Sequence, residues 1–106
     1  MYYPLSALLI ECLILSIVKN RDSYGYDISQ TIKTVANIKE STLYPILKKL
    51  TSDGYLTTYT ETVNNRARKY YAITDSGRAH LDYLEKEWQE YRNAIDAIIK
   101  GGSHHD

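Results

Sequence analysis

The stretch Ser41-Thr42-Leu43-Tyr44-Pro45-Ile46-Leu47-Lys48-Lys49-Leu50 decides how the rest of this 106-residue chain is read. Leu43, Ile46, Leu47 and Leu50 recur at helical spacing, and Asp53-Gly54 marks the stop. At about 100° per residue, Ser41, Pro45, Lys48 and Ser52 project opposite Leu43, Leu47 and Leu50, with Thr42 and Lys49 beside them. The exposed side is therefore small, hydroxylated and basic. Asn37 is expected to cap this helix, with Glu40 closing an approximate capping box. Pro45 lies too deep for a first turn, forfeits the bond to the Ser41 carbonyl and is expected to kink the helix.

Upstream, residues 5–19 are apolar nearly all round, with Pro4 expected at an N-terminal helical position. So apolar a helix needs a second surface to cover it, from the chain's own last helix or from another subunit. Ser23 is the expected cap of a second helix whose face carries Tyr24, Ile28, Ile32 and Val35. Downstream, the period changes: 55–62 and 68–74 are rich in Thr, Tyr and Ile and flank a polar run over 63–67, which predicts a β-hairpin. Arg68, Tyr70 and Ala72 should face one way along its second strand, and Lys69, Tyr71 and Ile73 the other. Thr74 caps the last helix with Asp75 in its first turn. Leu81, Leu84, Trp88, Tyr91, Ile95 and Ile98 follow at alternating spacings of three and four, a heptad seam. From 75 to 100 this helix would run about 39 Å, more than the small preceding domain can cover. Gly101-Gly102 ends it, and 101–106 is expected to be a frayed tail.

Three short helices, a basic hairpin and a long helix make a mainly α fold with one small β-hairpin. This is the winged helix-turn-helix plan over 1–74, with the third helix as reader and the hairpin as wing, followed by a dimerisation helix over 75–100.

Composition narrows the functional classes. Thirteen basic residues balance thirteen acidic ones. The balance is local, however: residues 20–78 hold nine Lys or Arg against six Asp or Glu, a net of +3, and residues 79–106 a net of −3. A neutral total thus covers a mildly basic working face and an acidic tail. Cys12 is the single cysteine, and with no basic secretory leader it points to a reducing cytoplasm. Glu11 interrupts the apolar first helix, which is short for a bilayer crossing, so no membrane partner is expected. His80, His104 and His105 do not form a spaced metal cluster, and Cys12 has no ligand partner. No activated nucleophile or glycine-rich phosphate loop is present, so neither an enzyme nor a cofactor is expected. Eleven tyrosines with no phenylalanine are the compositional oddity.

The chain resembles the PadR family of bacterial transcriptional regulators, especially its short members. The resemblance is carried by Tyr24-Gly25-Tyr26-Asp27-Ile28, by the stretch 41–50, by Asp53-Gly54-Tyr55-Leu56, and by Arg68-Lys69-Tyr70-Tyr71-Ala72-Ile73-Thr74 with Gly77. It implies a homodimer with one winged domain per subunit, built on the first and last helices, acting as a repressor at a DNA operator. Short multidrug-sensing members bracket a flat aromatic ligand between tryptophans of the last helix, and Trp88 falls at that position. Where relatives usually carry glycine or proline at the wing tip, this chain has Asn64-Asn65.

The expected DNA contacts are Ser41, Thr42, Tyr44, Lys48 and Lys49 on the reader, with Arg66, Arg68 and Lys69 on the wing. Trp88 is expected to wall a ligand pocket with Leu8, Cys12, Leu15, Leu84 and Tyr91. Leu5, Leu9, Leu81, Trp88, Ile95 and Ile98 are the expected dimer contacts. The partners are therefore a palindromic duplex, a second copy and a planar aromatic molecule. Two alternatives stay open: a DNA-binding protein blind to ligands, and a protein-interaction module using the same seam.

Overall fold

A computed structural model describes residues 4–101. The chain folds in the order α1 (Ala7–Asn20), β1 (Ser23–Tyr24), α2 (Gly25–Ile32), α3 (Glu40–Ser52), β2 (Leu56–Val63), β3 (Arg66–Ile73) and α4 (Asp75–Lys100). The three strands form an antiparallel sheet ordered β1-β3-β2. This is a winged helix-turn-helix followed by a long C-terminal helix. Apart from Gly101, the expected tail lies outside the described residues.

Several local starts differ from expectation. Ser6, not Pro4, sets the start of α1, its hydroxyl accepting from the Leu9 amide at 3.2 Å. Ser23 does not cap α2. It is buried in β1 opposite Tyr71, and its hydroxyl donates to the Arg21 carbonyl at 2.9 Å. Tyr24 occupies the extended position before α2 and caps it with no side-chain bond. Only Ile28 and Ile32 of the expected face of that helix are buried within it, since Val35 lies beyond its end. The Asn37 capping box also fails: α3 begins at Glu40 after Lys39, and the Glu40 carboxylate bonds to Ser29 and Lys33 instead. Pro45 is accommodated inside a continuous α3.

The end of α3 is fixed by backbone geometry. Gly54 takes φ +83°, and the amides of Gly54 and Tyr55 bond to the carbonyls of Thr51 and Leu50, a Schellman closure. At the hairpin tip Asn64 and Asn65 both adopt positive φ, 52° and 64°. Two successive left-handed residues make a type I′ turn whose twist suits a tight hairpin, and asparagine tolerates it. The strands therefore continue to Val63 and Arg66, and the five-residue tip expected over 63–67 shrinks to two residues.

Thr74 caps α4 by accepting from the Gly77 amide at 3.0 Å. Its hydroxyl and that of Ser76 donate to the Gly54 carbonyl at 2.6 and 2.9 Å, tying the start of α4 to the end of α3. The core is continuous through α1, α2, α3 and α4: Ile14, Leu15, Ile28, Leu43, Leu47 and Leu50 are fully enclosed, and Leu81 and Leu84 join the same cluster. The first and last helices thus pack directly on each other, while the second half of α4 projects beyond the core. The molecule is 62 Å in its longest dimension.

Gly77 is where α4 crosses closest to the chain. A Cβ there would overlap the Tyr55 carbonyl oxygen and approach Ile73 Cγ1 at 2.8 Å. Backbone cannot step aside as a side chain can. Gly77→Ala is expected to destabilise the fold by about 2 to 3 kcal/mol in urea denaturation, the range for overpacking a rigid site. An unchanged midpoint would show that the crossing is not rigid.

Candidate nucleic-acid interface

The outer side of α3 is open: Ser41, Thr42, Tyr44, Pro45, Lys48 and Lys49 are all exposed. Its placement against α2 depends on Gly25, where a Cβ would come within 2.9 Å of Tyr44 Cε1. The missing side chain lets the Tyr44 ring lie over the first turn of α2. Ser29, fully buried, donates to Glu40 Oε2 at 3.1 Å, and Lys33 Nζ lies 3.3 Å from the same oxygen. These bonds join the last turns of α2 to the first turn of α3. The Glu40 carboxyl is held below its ordinary range, first by its own backbone amide, then by Ser29 and Lys33.

The wing stands beside this face. An open groove of about 290 Å³ runs between them, lined by Tyr26 and Tyr44 on the helical side and by Ala67, Arg68 and Lys69 on the wing. Arg68 and Lys69 point to opposite sheet faces, as strand alternation requires. Each lies over an aromatic ring: the Arg68 guanidinium is 4.6 Å from the centre of Tyr24, and Lys69 Nζ is 5.7 Å from that of Tyr71. Arg66, beside the turn, is exposed.

Much of the unexplained tyrosine content stiffens the base of the wing. Tyr24, Tyr70 and Tyr59 stand opposite one another across the three strands. Tyr70 lies 5.6 Å from each of the other two rings, and Tyr26 extends the row 6.2 Å beyond Tyr24. The Tyr59 phenol donates to Asp22 Oδ2 at 2.7 Å, and this bond chiefly pushes its pKa up to about 12. Sequence reasoning missed Tyr59 and Asp22 because they are 37 residues apart and share no motif. Only the excess of tyrosine pointed to them.

Lys49 is placed differently from Lys48. Its ammonium lies 3.4 Å from Glu11 Oε2 on α1 and 3.4 Å from Asp53 Oδ2. The Glu11 charge chiefly raises the Lys49 pKa. His80 Nε2 stands 3.7 Å from the other Glu11 oxygen, and its ring stacks on Tyr55 at 4.0 Å.

A second, apolar groove of about 470 Å³ lies between α1 and α4, lined by Leu5, Leu9, Leu13, Val35, Trp88 and Tyr91. Of the residues expected to wall a ligand pocket, Trp88 and Tyr91 are here. Cys12 and Leu15 are instead enclosed in the core and Leu8 packs against it, because the flank of α1 that they mark faces inward, and Leu84 of α4 is buried against that flank. Leu13 and Val35, with Leu5 and Leu9 that the sequence assigns to dimer contacts, complete the lining of this groove. Of the expected dimer residues Leu81 is 1% exposed and belongs to the chain's own core, whereas Ile98 is 75% exposed. Ile99, outside the heptad seam, is equally open.

Residues 14–83 match the model of the transcriptional regulator PadR-like family. The chain belongs to that family. The crystal structure of smu.1704 from Streptococcus mutans superposes with a TM-score of 0.93 at 66% identity, over all of both chains. A PadR family regulator from Clostridium difficile superposes at 0.78 with 29% identity, over 85% of this chain and 97% of that one. In sequence, the negative transcriptional regulator PadR of Bacillus subtilis is 35% identical over 81 residues, 71% of this chain but only 44% of that regulator. A PadR-like chain is a DNA-binding transcriptional regulator and not an enzyme. Among the described residues no helix is long and apolar enough to cross a membrane.

The PadR-like reader helix is held by a carboxylate, which makes its anchoring pH-dependent. A depressed native pKa contributes stability above the unfolded pKa, and that contribution is lost as pH falls through the native value. Wild type should be more stable than Glu40→Gln at pH 7, and the difference should close below about pH 4. Thermal melts of both proteins across pH 3 to 7 check this; a gap independent of pH would remove the Glu40 charge from the anchoring.

Proposed function

We propose that the chain is a dimeric repressor that reads a palindromic DNA operator with α3 and the wing, and that a planar aromatic effector releases it. The observation that carries this reading is the groove in which Tyr44, from the exposed, polar and basic outer face of α3, stands across from Arg68 and Lys69 of the wing. Ser41, Thr42 and Tyr44 offer hydroxyls to base edges and phosphates. Lys48, Arg66, Arg68 and Lys69 supply the positive charge. Lys49, already held by Glu11 and Asp53, is left out of that set. In a two-fold dimer the paired α3 helices would enter half-sites about 34 Å apart, or a multiple of that.

Dimerisation is supported by the apolar surface that one chain leaves open. Tyr91, Ile95, Ile98 and Ile99 are exposed on the projecting half of α4, continuous with the Trp88 groove. Large apolar side chains grouped in this way mark a contact surface. A second copy would cover them and close the groove around Trp88. A flat, apolar pocket with few polar groups selects by shape and stacking, which suits planar aromatic compounds. An effector there would shift the population toward dimers whose winged domains no longer match the operator spacing.

The DNA reading is checked by titrating duplex from upstream of the protein's own gene at several salt concentrations. Lys48→Ala should lower the magnitude of the log K against log salt slope by roughly 0.9 for each phosphate that Lys48 neutralises. Thr42→Ala should change which sequences bind. No sequence preference in the wild type would overturn the reading.

The effector reading has its own probe, since Trp88 is the single tryptophan. A panel of planar aromatic compounds should quench its fluorescence saturably. Trp88→Ala should weaken calorimetric binding at least tenfold while leaving a folded, DNA-binding protein. Equal affinities for wild type and variant would exclude Trp88 from the pocket.

A further inference from the structure

Glu11 is an anomaly that the DNA-binding face does not explain. It is the one acidic residue in α1, whose other residues are almost all apolar, and its side chain is only 15% exposed. Withdrawing a carboxylate from water is unfavourable unless cations compensate it. Here the compensating cation comes from α3: Lys49 Nζ lies 3.4 Å from Oε2, while the His80 imidazole of α4 stands 3.7 Å from Oε1.

Lys49 follows Thr42 by seven residues and so lies on the same stripe of α3, two turns further along. That stripe is the edge of the face assigned to DNA. The side chain itself is 58% exposed, so its ammonium is within reach of solvent and of an approaching polyanion. A DNA phosphate would therefore compete with Glu11 for one lysine. Two negative groups cannot both take full advantage of the same ammonium.

We propose that Glu11 is an internal counter-anion that withholds Lys49 from the DNA backbone and sets the affinity of the reader helix below what its charge would permit. Asp53, on the same ammonium, acts in the same direction and more weakly, being itself 43% exposed. Glu11 is thus a positioning residue: it touches no nucleotide and works through Lys49. The inference rests on the assignment of α3 to the DNA.

Glu11→Gln removes the competing charge and keeps the shape. In salt titrations of operator binding, this variant should bind on the order of fivefold more tightly at 0.1 M salt, with the slope steeper by roughly 0.9 per half-site. Removing any acid near DNA raises affinity through the general field, so the same substitution is made in a Lys49→Met background. There Glu11→Gln should have no effect on the slope. An equal gain in both backgrounds, or no gain in the wild-type background, overturns the proposal. Should Glu11→Gln not fold, Lys49→Met alone still decides: its slope should match wild type, and a drop of roughly 0.9 would show Lys49 already on phosphate. Lys48→Ala is measured alongside. If it too leaves the slope untouched, the assignment of α3 to DNA fails, separately from the role of Glu11.

Discussion

An amphipathic helix needs one covering surface; α1 needs several, because it has almost no polar side. Its inward flank, with Ile14, Leu15 and Val18, forms the centre of the core. The start of α4 closes over it through Leu81 and Leu84, and α3 closes it from below through Leu43 and Leu47. Leu9 and Leu13, only half-buried, form one wall of the Trp88 groove with Leu5 just before the helix. The placement of α3, of the sheet and of the Trp88 groove all follows from this one demand for cover. Burial of apolar area is non-directional, so the directional bonds at Gly54, Thr74 and Ser76 then select a single arrangement among those that would bury it.

The polar devices divide the same way. Ser29 and Glu40 join the two helices of the helix-turn-helix, and the tyrosine row with Asp22 holds the wing. Neither device contributes much area to the core. Their effect is angular: one fixes α3 against α2, and the other fixes the base of the wing.

The order of helices and strands was legible in the sequence because periodicity and stop signals agree with tertiary packing. Thr74, Asp75 and Gly101 act at the ends of α4 as their residue types predict. Capping at the starts of α2 and α3 was less legible, since Ser23 pairs with a strand and the Glu40 carboxylate bonds to α2, alternatives that one-dimensional patterns do not show. The exposed side of α3 was equally plain, but the partners of Lys49 were not. A helical projection fixes where a side chain leaves the backbone, and a lysine reaches far enough to bond to α1. The lining of the Trp88 groove posed the opposite problem: in a helix apolar nearly all round, spacing cannot tell Leu9, on the groove, from Leu15, in the core.

The contact between the first and last helices also governs how the protein comes into being. Leu81 and Leu84 complete a core begun by Ile10 to Val18, so most of the chain must be synthesised before α1 has its cover. Until then α1 has only α2, α3 and the sheet against it, and part of its apolar surface stays open. Such long-range closure is slow and leaves the intermediate sticky. The native fold therefore depends on a contact between distant segments, and a chain that has not yet made it has two kinds of surface that can cover its apolar residues, its own last helix and that of a neighbour.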